Sequence, residues 1–388
     1  MAKGQLGGTG IAETCTAISA LLLLALAVFG GGSEGYIDEL FEGDPCQPKP
    51  GTAGVCRRAH TCGWLREALR SKDEKIVNCG FEHNVAIVCC PSEEASVKNS
   101  SLEVAVKVCE RYVEALDFHI LSGVKADRGD VPFIAALGYK LESLEPEEGP
   151  YKWACGSSLI APSFLLTAAH CVVSKSYGSP QMVRMGTLNL LTVANDEVQD
   201  RTVKHIITHP NYKPSRRYDD IALIEVVSPF LFDQVVKPVC LSTSLEDVDS
   251  TQLLLAAGWG QTETRSSSPD ALFIANLTTV PIDECGTQFG KVTFGKKKAL
   301  THGIRHSQYC AIGEAIDELH RSDTCEGDSG GPLYYTADSD VAEKYYQVGI
   351  TSFGMNCGSS VPSVYTRVTF YLDWIVSHVW PEMEASTR

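Results

Sequence analysis

Three short segments carry a histidine, an aspartate and a serine in contexts suited to nucleophilic catalysis. In chain order they are centred on His170 (Thr-Ala-Ala-His-Cys), Asp220 (Asp-Asp-Ile-Ala-Leu) and Ser329 (Gly-Asp-Ser-Gly-Gly-Pro). A serine hydroxyl is a weak nucleophile until a base removes its proton in the transition state. A histidine can be that base and then the acid that protonates the leaving group. Each segment alone fits a structural role, such as a buried histidine or a glycine turn, but together they predict covalent hydrolysis.

The order of the three motifs resembles that of the chymotrypsin/trypsin family of serine proteases, and the resemblance covers nearly all of the chain after residue 119. It implies that His170 is the general base, that Asp220 orients it, and that Ser329 is the nucleophile. It also implies an oxyanion hole formed by the backbone N–H groups of Gly327 and Ser329. The competing interpretation is an inactive pseudo-protease. Such chains typically lose the serine, whereas all three residues are present here.

The residues around Ser329 also indicate the substrate. Asp323 lies six residues before Ser329, where trypsin-like members of the family carry the aspartate at the base of the specificity pocket. A buried carboxylate there selects a long cationic side chain, so the resemblance implies cleavage after arginine or lysine. Gly354 leaves the pocket entrance open, whereas Ser363 stands where trypsin-like enzymes carry glycine. We expect Ser363 to intrude near Asp323 and narrow the pocket; an exposed loop carboxylate is the alternative interpretation of Asp323.

The activation segment departs most from the family. In its members, cleavage creates a new α-amino group that pairs with the carboxylate just before the catalytic serine and orders the pocket and the oxyanion hole. The resemblance gives these roles to Ile120 and Asp328. The residue before the cleaved bond is His119, not arginine or lysine. An enzyme with Asp323 in its pocket should therefore be unable to cut its own activation bond, and we expect a separate upstream protease.

The N-terminus is typical of a secreted protein. A mostly apolar run from Ile18 to Phe29 is followed by small residues, which predicts a signal peptide within residues 1–35. The run is too short to span a bilayer comfortably, so we expect no membrane anchor. One of the 15 cysteines, Cys15, lies in this leader. The even number that remains is expected for a fully paired extracellular protein.

A dense cluster of cysteines follows the leader: Cys46, Cys56, Cys62, Cys79, Cys89 and Cys90. So short a segment with few large apolar residues cannot build a sufficient core, so disulfides have to stabilise it. A zinc site is disfavoured by the secreted context and by the lack of regular C-x-x-C pairs. Six cysteines allow 15 connectivities, and the residues alone do not choose among them. The spacing, with its adjacent final pair, resembles the arthropod clip domain.

The two resemblances together imply a disulfide framework. The clip-domain resemblance implies the pairs Cys46–Cys89, Cys56–Cys79 and Cys62–Cys90. The protease resemblance implies the pairs Cys155–Cys171, Cys285–Cys310 and Cys325–Cys357. Cys109 and Cys240 remain, and they look like the bridge that keeps the N-terminal chain attached after activation. Asn99 and Asn276 lie in sequons that could carry glycans.

The pattern of the remaining residues predicts the domains. From Ile120 onward, short apolar runs alternate with Gly, Pro, Asn and Ser clusters, which predicts an all-β domain. The family resemblance makes it a chymotrypsin-like double β-barrel. A C-terminal helix is predicted from apolar residues at helical spacing between Tyr371 and Val379. The segment before Ile120 is expected to be a linker with a helical turn or two. We predict four segments: a signal peptide (1–35), a clip domain (41–91), a linker and activation segment (92–119) and a protease domain (120–388).

Composition and resemblance together narrow the function. The formal net charge of −15 disfavours nucleic acid as a partner, and no cofactor or metal ion is implied. The resemblance implies a secreted zymogen of arthropod haemolymph that acts in innate immunity, melanisation or Toll signalling. Its implied partners are an upstream activating protease, a downstream clip-domain zymogen and a serpin. The alternatives are a non-catalytic scaffold for other proteases, a developmental patterning protease, and a digestive trypsin, which the clip domain argues against.

Overall fold

The structure is a computed structural model of the 388-residue chain. It forms two units, Met1–Leu40 and Phe41–Arg388, and the second holds every element described below. The described residues are 40–49, 52–62, 65, 69, 76–82, 85–91, 95–114, 129–140, 150–191, 198–261, 271–291, 300, 303–315, 321, 323–324, 327–337, 344–355 and 358–386. The predicted signal peptide, the bond between His119 and Ile120, and the pair Cys325–Cys357 lie outside them.

A small antiparallel sheet forms around the first cysteine cluster. Its strands are β1 (Pro45–Lys49), β2 (Thr52–Arg58), β3 (Asn78–Glu82) and β4 (Val85–Pro91), with a 3-10 turn at Ala59–Thr61. They pair in the order β1-β2-β4-β3. Three disulfides cross the sheet, and they are the pairs that the clip-domain resemblance implies: Cys46–Cys89, Cys56–Cys79 and Cys62–Cys90. Five of these six cysteines are buried, so sulfur takes the place of much of an apolar core. We call residues 41–91 the N-terminal module.

A long helix occupies the segment expected to be a linker. Helix α1 spans Ala95–Glu114, 20 residues rather than the turn or two expected from the sequence. Val104 and Val108, one helical turn apart, are buried against Val376 near the C-terminus. The disulfide Cys109–Cys240 joins the helix to the catalytic domain. The helix is longer than expected because tertiary packing of one face, and not local propensity alone, stabilises it.

The first catalytic barrel is a closed ring of six antiparallel strands. They are β5 (Ile134–Tyr139), β6 (Lys152–Ala161), β7 (Phe164–Thr167), β8 (Met182–Met185), β9 (Gln199–Thr208) and β10 (Ala222–Val226). The order around the ring is β10-β7-β6-β5-β8-β9. Helix α2 (Ala169–Val172) follows β7 directly. All six residues of β5 are buried, so this strand lies at the centre of the domain.

The second barrel is built from the C-terminal half of the chain. Its strands are β11 (Cys240–Leu241), β12 (Leu254–Gly258), β13 (Phe273–Thr279), β14 (Gln308–Gly313), β15 (Pro332–Ala337), β16 (Lys344–Phe353) and β17 (Ser363–Arg367). The sheet order is β11-β16-β15-β12-β13-β14-β17, and an additional pairing of β16 with β17 closes a ring of six. The short β11 adds to β16 in parallel. The predicted double barrel is confirmed.

Helices complete the catalytic domain. Helix α3 (Ile282–Lys291) lies between β13 and β14, and a 3-10 turn (Val368–Tyr371) leads from β17 into α4 (Leu372–Val379). The predicted C-terminal helix is therefore present. Helix α4 ends at Val379, and a further short helix, α5 (Pro381–Ser386), begins at Pro381. No helix in the described ranges is long and apolar enough to cross a membrane.

The two barrels share one apolar core. Phe133, just before β5, packs edge-on against Tyr334 of β15, with ring centroids 5.0 Å apart. Both side chains are fully or almost fully buried. Because the barrels are fused through such contacts, residues at their facing edges are held in fixed relative positions.

Candidate active site

His170 and Asp220 come from adjacent parts of the first barrel. His170 lies in α2, just after β7, and Asp220 lies two residues before β10, the strand that pairs with β7. His170 Nδ1 and Asp220 Oδ2 are 2.8 Å apart, and the His170 backbone N–H donates to Asp220 Oδ1 at 2.9 Å. Asp220 is only 3% exposed. The Asp220 carboxylate thus contacts both the ring and the backbone of His170, and Nε2 is the ring nitrogen that does not contact it.

Two hydroxyl groups from the second barrel also hold Asp220. The Ser352 hydroxyl donates to Asp220 Oδ2 at 2.5 Å, and the Thr366 hydroxyl donates to the Asp220 backbone carbonyl at 2.8 Å. Both residues are buried. The sequence patterns did not point to either one. The only signal for Ser352 was its place two residues before the predicted pocket residue Gly354.

These contacts keep Asp220 ionised. Burial alone would raise the pKa of this carboxyl, but the charge of His170 and the hydrogen bonds from His170 and Ser352 together lower it below its usual value. A permanently charged carboxylate beside Nδ1 favours the tautomer with its proton on Nδ1. It also stabilises a positive charge on the ring.

Ser329 lies in the tight turn that precedes β15. Gly327 has a φ angle of 106°, in the left-handed region that favours glycine. The Gly156 N–H donates to the Ser329 carbonyl at 2.8 Å, which fixes this turn to β6 of the first barrel. The sulfur of Cys171, next to His170, lies 3.4 Å from the same carbonyl oxygen. In the described part of the chain no hydrogen bond joins Ser329 Oγ to His170 Nε2; such contacts often tighten only when substrate binds.

Asp328 lies in a recess lined by glycine. Its Oδ1 atom accepts a hydrogen bond from the Gly260 N–H at 2.7 Å, and the residue is 9% exposed. A side chain at Gly258 or Gly260 would collide with the carboxylate. The predicted partner of Asp328, Ile120, lies outside the described residues. The recess therefore depends on glycine at two positions that the sequence did not single out.

Asp323 forms the centre of a second polar cluster, in which Asp323 is half-buried and Ser363 is buried. Its Oδ1 atom accepts hydrogen bonds from the Ser363 hydroxyl and the Thr324 N–H, both at 2.8 Å, and its Oδ2 atom accepts one from the Gly358 N–H at 3.2 Å. Burial nevertheless raises the pKa of the Asp323 carboxyl to about 6. A Cβ at Gly354 would lie 2.9 Å from Ser363 Oγ, so the Ser363 hydroxyl lies between Asp323 and the 354 position.

Two further disulfides support the catalytic domain. Cys155–Cys171 anchors the turn that carries His170, and Cys285–Cys310 ties α3 to β14. Both are pairs that the protease resemblance implies. Of the two sequons, Asn99 lies in α1 and Asn276 is half-buried in β13.

Two fused β-barrels with a histidine–aspartate pair and a serine turn at their junction define a chymotrypsin-like serine protease. The trypsin family profile matches residues 120–375. The chain belongs to the trypsin family of serine proteases, and it is a serine endopeptidase.

Its relatives extend the match to the N-terminal module. The chain is 31% identical to the CLIP domain-containing serine protease C9 of Anopheles gambiae, over 91% of this chain and 90% of the relative. It is 31% identical to phenoloxidase-activating factor 1 of Holotrichia diomphalia, over 87% of this chain and 93% of the relative. It is 38% identical to the serine protease Hayan of Drosophila melanogaster over 71% of this chain, and the match spans 42% of Hayan. These relatives confirm the resemblance to insect clip-domain serine proteases.

Proposed function

We propose that the chain is a secreted zymogen whose activated form cuts after arginine or lysine, and that it activates a downstream clip-domain zymogen in arthropod haemolymph. The observation that carries this proposal is the presence, in one domain, of the His170–Asp220 pair, the Ser329 turn and the half-buried Asp323 carboxylate. Two relatives are named phenoloxidase-activating factors, which supports a role in melanisation and innate immunity. Toll signalling is a further haemolymph setting of the same function, and embryonic patterning is the alternative.

In the proposed reaction, Ser329 Oγ attacks the carbonyl carbon of the scissile peptide bond while His170 takes the hydroxyl proton. His170 then gives that proton to the leaving amine as the C–N bond breaks, which leaves an acyl-enzyme. Water hydrolyses the acyl-enzyme by the same proton route. Asp220 stabilises the imidazolium in both steps, and the N–H groups of Gly327 and Ser329 donate to the oxyanion.

Activation in this proposal begins with a cut after His119. The freed α-amino group of Ile120 enters the glycine-lined recess and pairs with Asp328. The support is the burial of the Asp328 carboxylate in this recess, where it accepts a hydrogen bond from the Gly260 N–H, since a buried carboxylate is stabilised strongly by a cation. Because Asp328 directly precedes Ser329, this pairing would fix the turn that carries the nucleophile and the oxyanion donors.

The N-terminal segments then remain attached to the active enzyme. We propose the four segments predicted from the sequence: a signal peptide (1–35), a clip domain (41–91), a linker and activation segment (92–119) and a protease domain (120–388). The disulfide Cys109–Cys240 and the packing of α1 on Val376 support a two-chain product that does not dissociate. An upstream protease and a serpin inhibitor are the further partners.

The activation step can be tested with purified precursor. Wild-type chain and a His119→Arg variant are each incubated alone and with trypsin, and activity and new N-termini are measured. We expect only the trypsin-treated variant to become active with Ile120 as its new terminus. Wild-type precursor that activates itself at high concentration would overturn the separate-activator step.

The catalytic roles are tested on the activated variant. Ser329→Ala should remove peptidase activity, by a factor on the order of a million, while leaving secretion and the unfolding transition intact. A covalent serine-protease titrant should label the activated chain and not the Ser329→Ala form. A chain that takes up no titrant but still binds other proteases would instead favour the scaffold alternative.

A further inference from the structure

The N-terminal module contacts the catalytic domain through charged side chains. Arg58, at the end of β2, donates to Glu42 at 2.9 Å and to Glu82 at 3.3 Å, both within the module. Its third hydrogen bond crosses to the catalytic domain and reaches Asn211 Oδ1 at 2.5 Å. All of these carboxylates and the guanidinium are at least three-quarters buried. Charges so placed are costly to separate, so the contact is a fixed joint.

Glu82 extends this joint to two catalytic-domain arginines. Its Oε1 atom lies 3.5 Å from Arg216 and 3.8 Å from Arg305. Arg305 is 6% exposed, and its guanidinium lies 4.2 Å from the ring centroid of Tyr218 and 5.4 Å from that of Phe41. The module therefore holds Arg216 directly and Tyr218 through Arg305.

The residue between these two, Arg217, faces a different environment. Its guanidinium lies 5.5 Å from the ring centroid of Phe353, and its backbone carbonyl accepts a hydrogen bond from the side-chain amide of Gln308 at 2.8 Å. Its side chain is exposed. No carboxylate of the described ranges lies within salt-bridge distance of it. Arg217 is thus an exposed cation between two residues that contact the module or its partner Arg305: Arg216 contacts Glu82, and Tyr218 contacts Arg305.

Phe353 joins Arg217 to the residues around the catalytic pair and the predicted pocket. Ser352, just before Phe353, donates to Asp220, and Gly354, just after it, is exposed and adjoins Ser363 at the pocket. Phe353 therefore lies between the catalytic pair and the specificity pocket. A guanidinium stacked on a ring keeps its N–H edges free for a carboxylate.

We propose that Arg217 binds an acidic side chain of the substrate next to the basic residue in the pocket, and that the N-terminal module holds Arg217 in position through Phe41 and Glu82. This inference rests on the proposed cleavage after basic residues and adds an acidic neighbour to the substrate class. It also gives the module a role in substrate choice that persists in the active enzyme.

The test uses activated full-length chain and a set of matched peptides. Each peptide has one arginine or lysine at the cleavage site, and aspartate, asparagine or lysine is placed in turn at the two positions on each side. We expect kcat/KM to be about 3- to 5-fold higher with aspartate than with asparagine at one of these positions, the size of an exposed ion pair. The ratio should fall as salt is raised, because screening weakens such pairs.

Variants separate the two parts of the proposal. Arg217→Gln should bring the aspartate-to-asparagine ratio close to one, and Arg217→Lys should retain part of it. Glu82→Gln, which removes only a module charge, should lower the ratio in the same direction. The matched control Glu103→Gln, on the exposed face of α1, should leave the ratio unchanged. Thermal unfolding of each variant confirms that the chain is folded.

Each outcome has a distinct meaning. An aspartate preference that survives Arg217→Gln would refute the binding role of Arg217. A Glu82→Gln ratio equal to that of Glu103→Gln would refute the role of the N-terminal module. If activated wild-type chain cuts none of the peptides, including those without an acidic residue, the proposed function fails first, and that result is visible independently of the ratio.

Discussion

The ionisation of Asp323 should control whether the pocket binds a basic side chain. Burial raises the pKa of this carboxyl from an ordinary value of 3.8 to about 6. A cationic side chain is attracted only to the ionised form. The sign of the pH effect follows directly: affinity should be full above about pH 7 and should be lost as pH falls through about 6.

The size of the effect comes from proton competition. Below a pKa of about 6, each unit of pH costs about tenfold in apparent affinity, until the lower pKa of the complex is reached. At pH 5 the pocket should therefore bind a cation about tenfold more weakly than at pH 7. A carboxyl titrating at its ordinary 3.8 would show almost no loss over the same range. The two cases differ by far more than the error of a binding measurement.

The assay is a calorimetric titration of benzamidinium, a small aromatic cation, into the chain after cleavage at an introduced His119→Arg site. A Ser329→Ala background prevents self-digestion. A His170→Gln variant is measured in parallel, and the loss of affinity should persist in it. Asp323→Asn should bind weakly at every pH, with no slope.

A flat affinity from pH 7 to pH 5 would refute the claim that burial dominates the environment of Asp323. It would mean that the hydrogen bonds from Ser363, Thr324 and Gly358 outweigh desolvation. A pH dependence of the affinity that disappears in His170→Gln would contradict its assignment to Asp323. No binding at any pH would contradict Asp323 as the cation site.

Three further outcomes follow from the site. Ser352→Ala removes a hydroxyl that donates to buried Asp220 and should lower kcat about tenfold. The measurement is kcat as a function of pH. Gly260→Ala should displace the Asp328 carboxylate and lower the rate of peptide hydrolysis by the activated chain by more than about 100-fold. After activation the two chains should migrate together on a non-reducing gel and separate on a reducing one, because Cys109 bridges them; separation without reductant would contradict the bridge.

Short motifs predicted the catalytic centre because its chemistry restricts residue types at fixed local spacing. The turn that carries Ser329 needs glycine, and the spacing of the cysteines follows the small disulfide-bonded sheet. Ser352 and Thr366 escaped prediction because a hydroxyl that donates to Asp220 from another barrel has no local signature. The length of α1 could not be predicted because the residues that pack against its apolar face lie far along the chain.

The joint between the N-terminal module and the barrels was invisible in the sequence for a different reason. Arg58, Glu82 and Arg305 look like ordinary solvated surface charges, and only the fold brings them together and buries them. The module is also held by α1 and by the disulfide Cys109–Cys240. Each of these three links joins a residue before His119 to a residue after Ile120. Cleavage of the bond between His119 and Ile120 therefore leaves all three in place. If the chain is activated as proposed, the module stays beside Arg217 in the active enzyme, and activation and the proposed substrate choice would use separate parts of the same N-terminal chain.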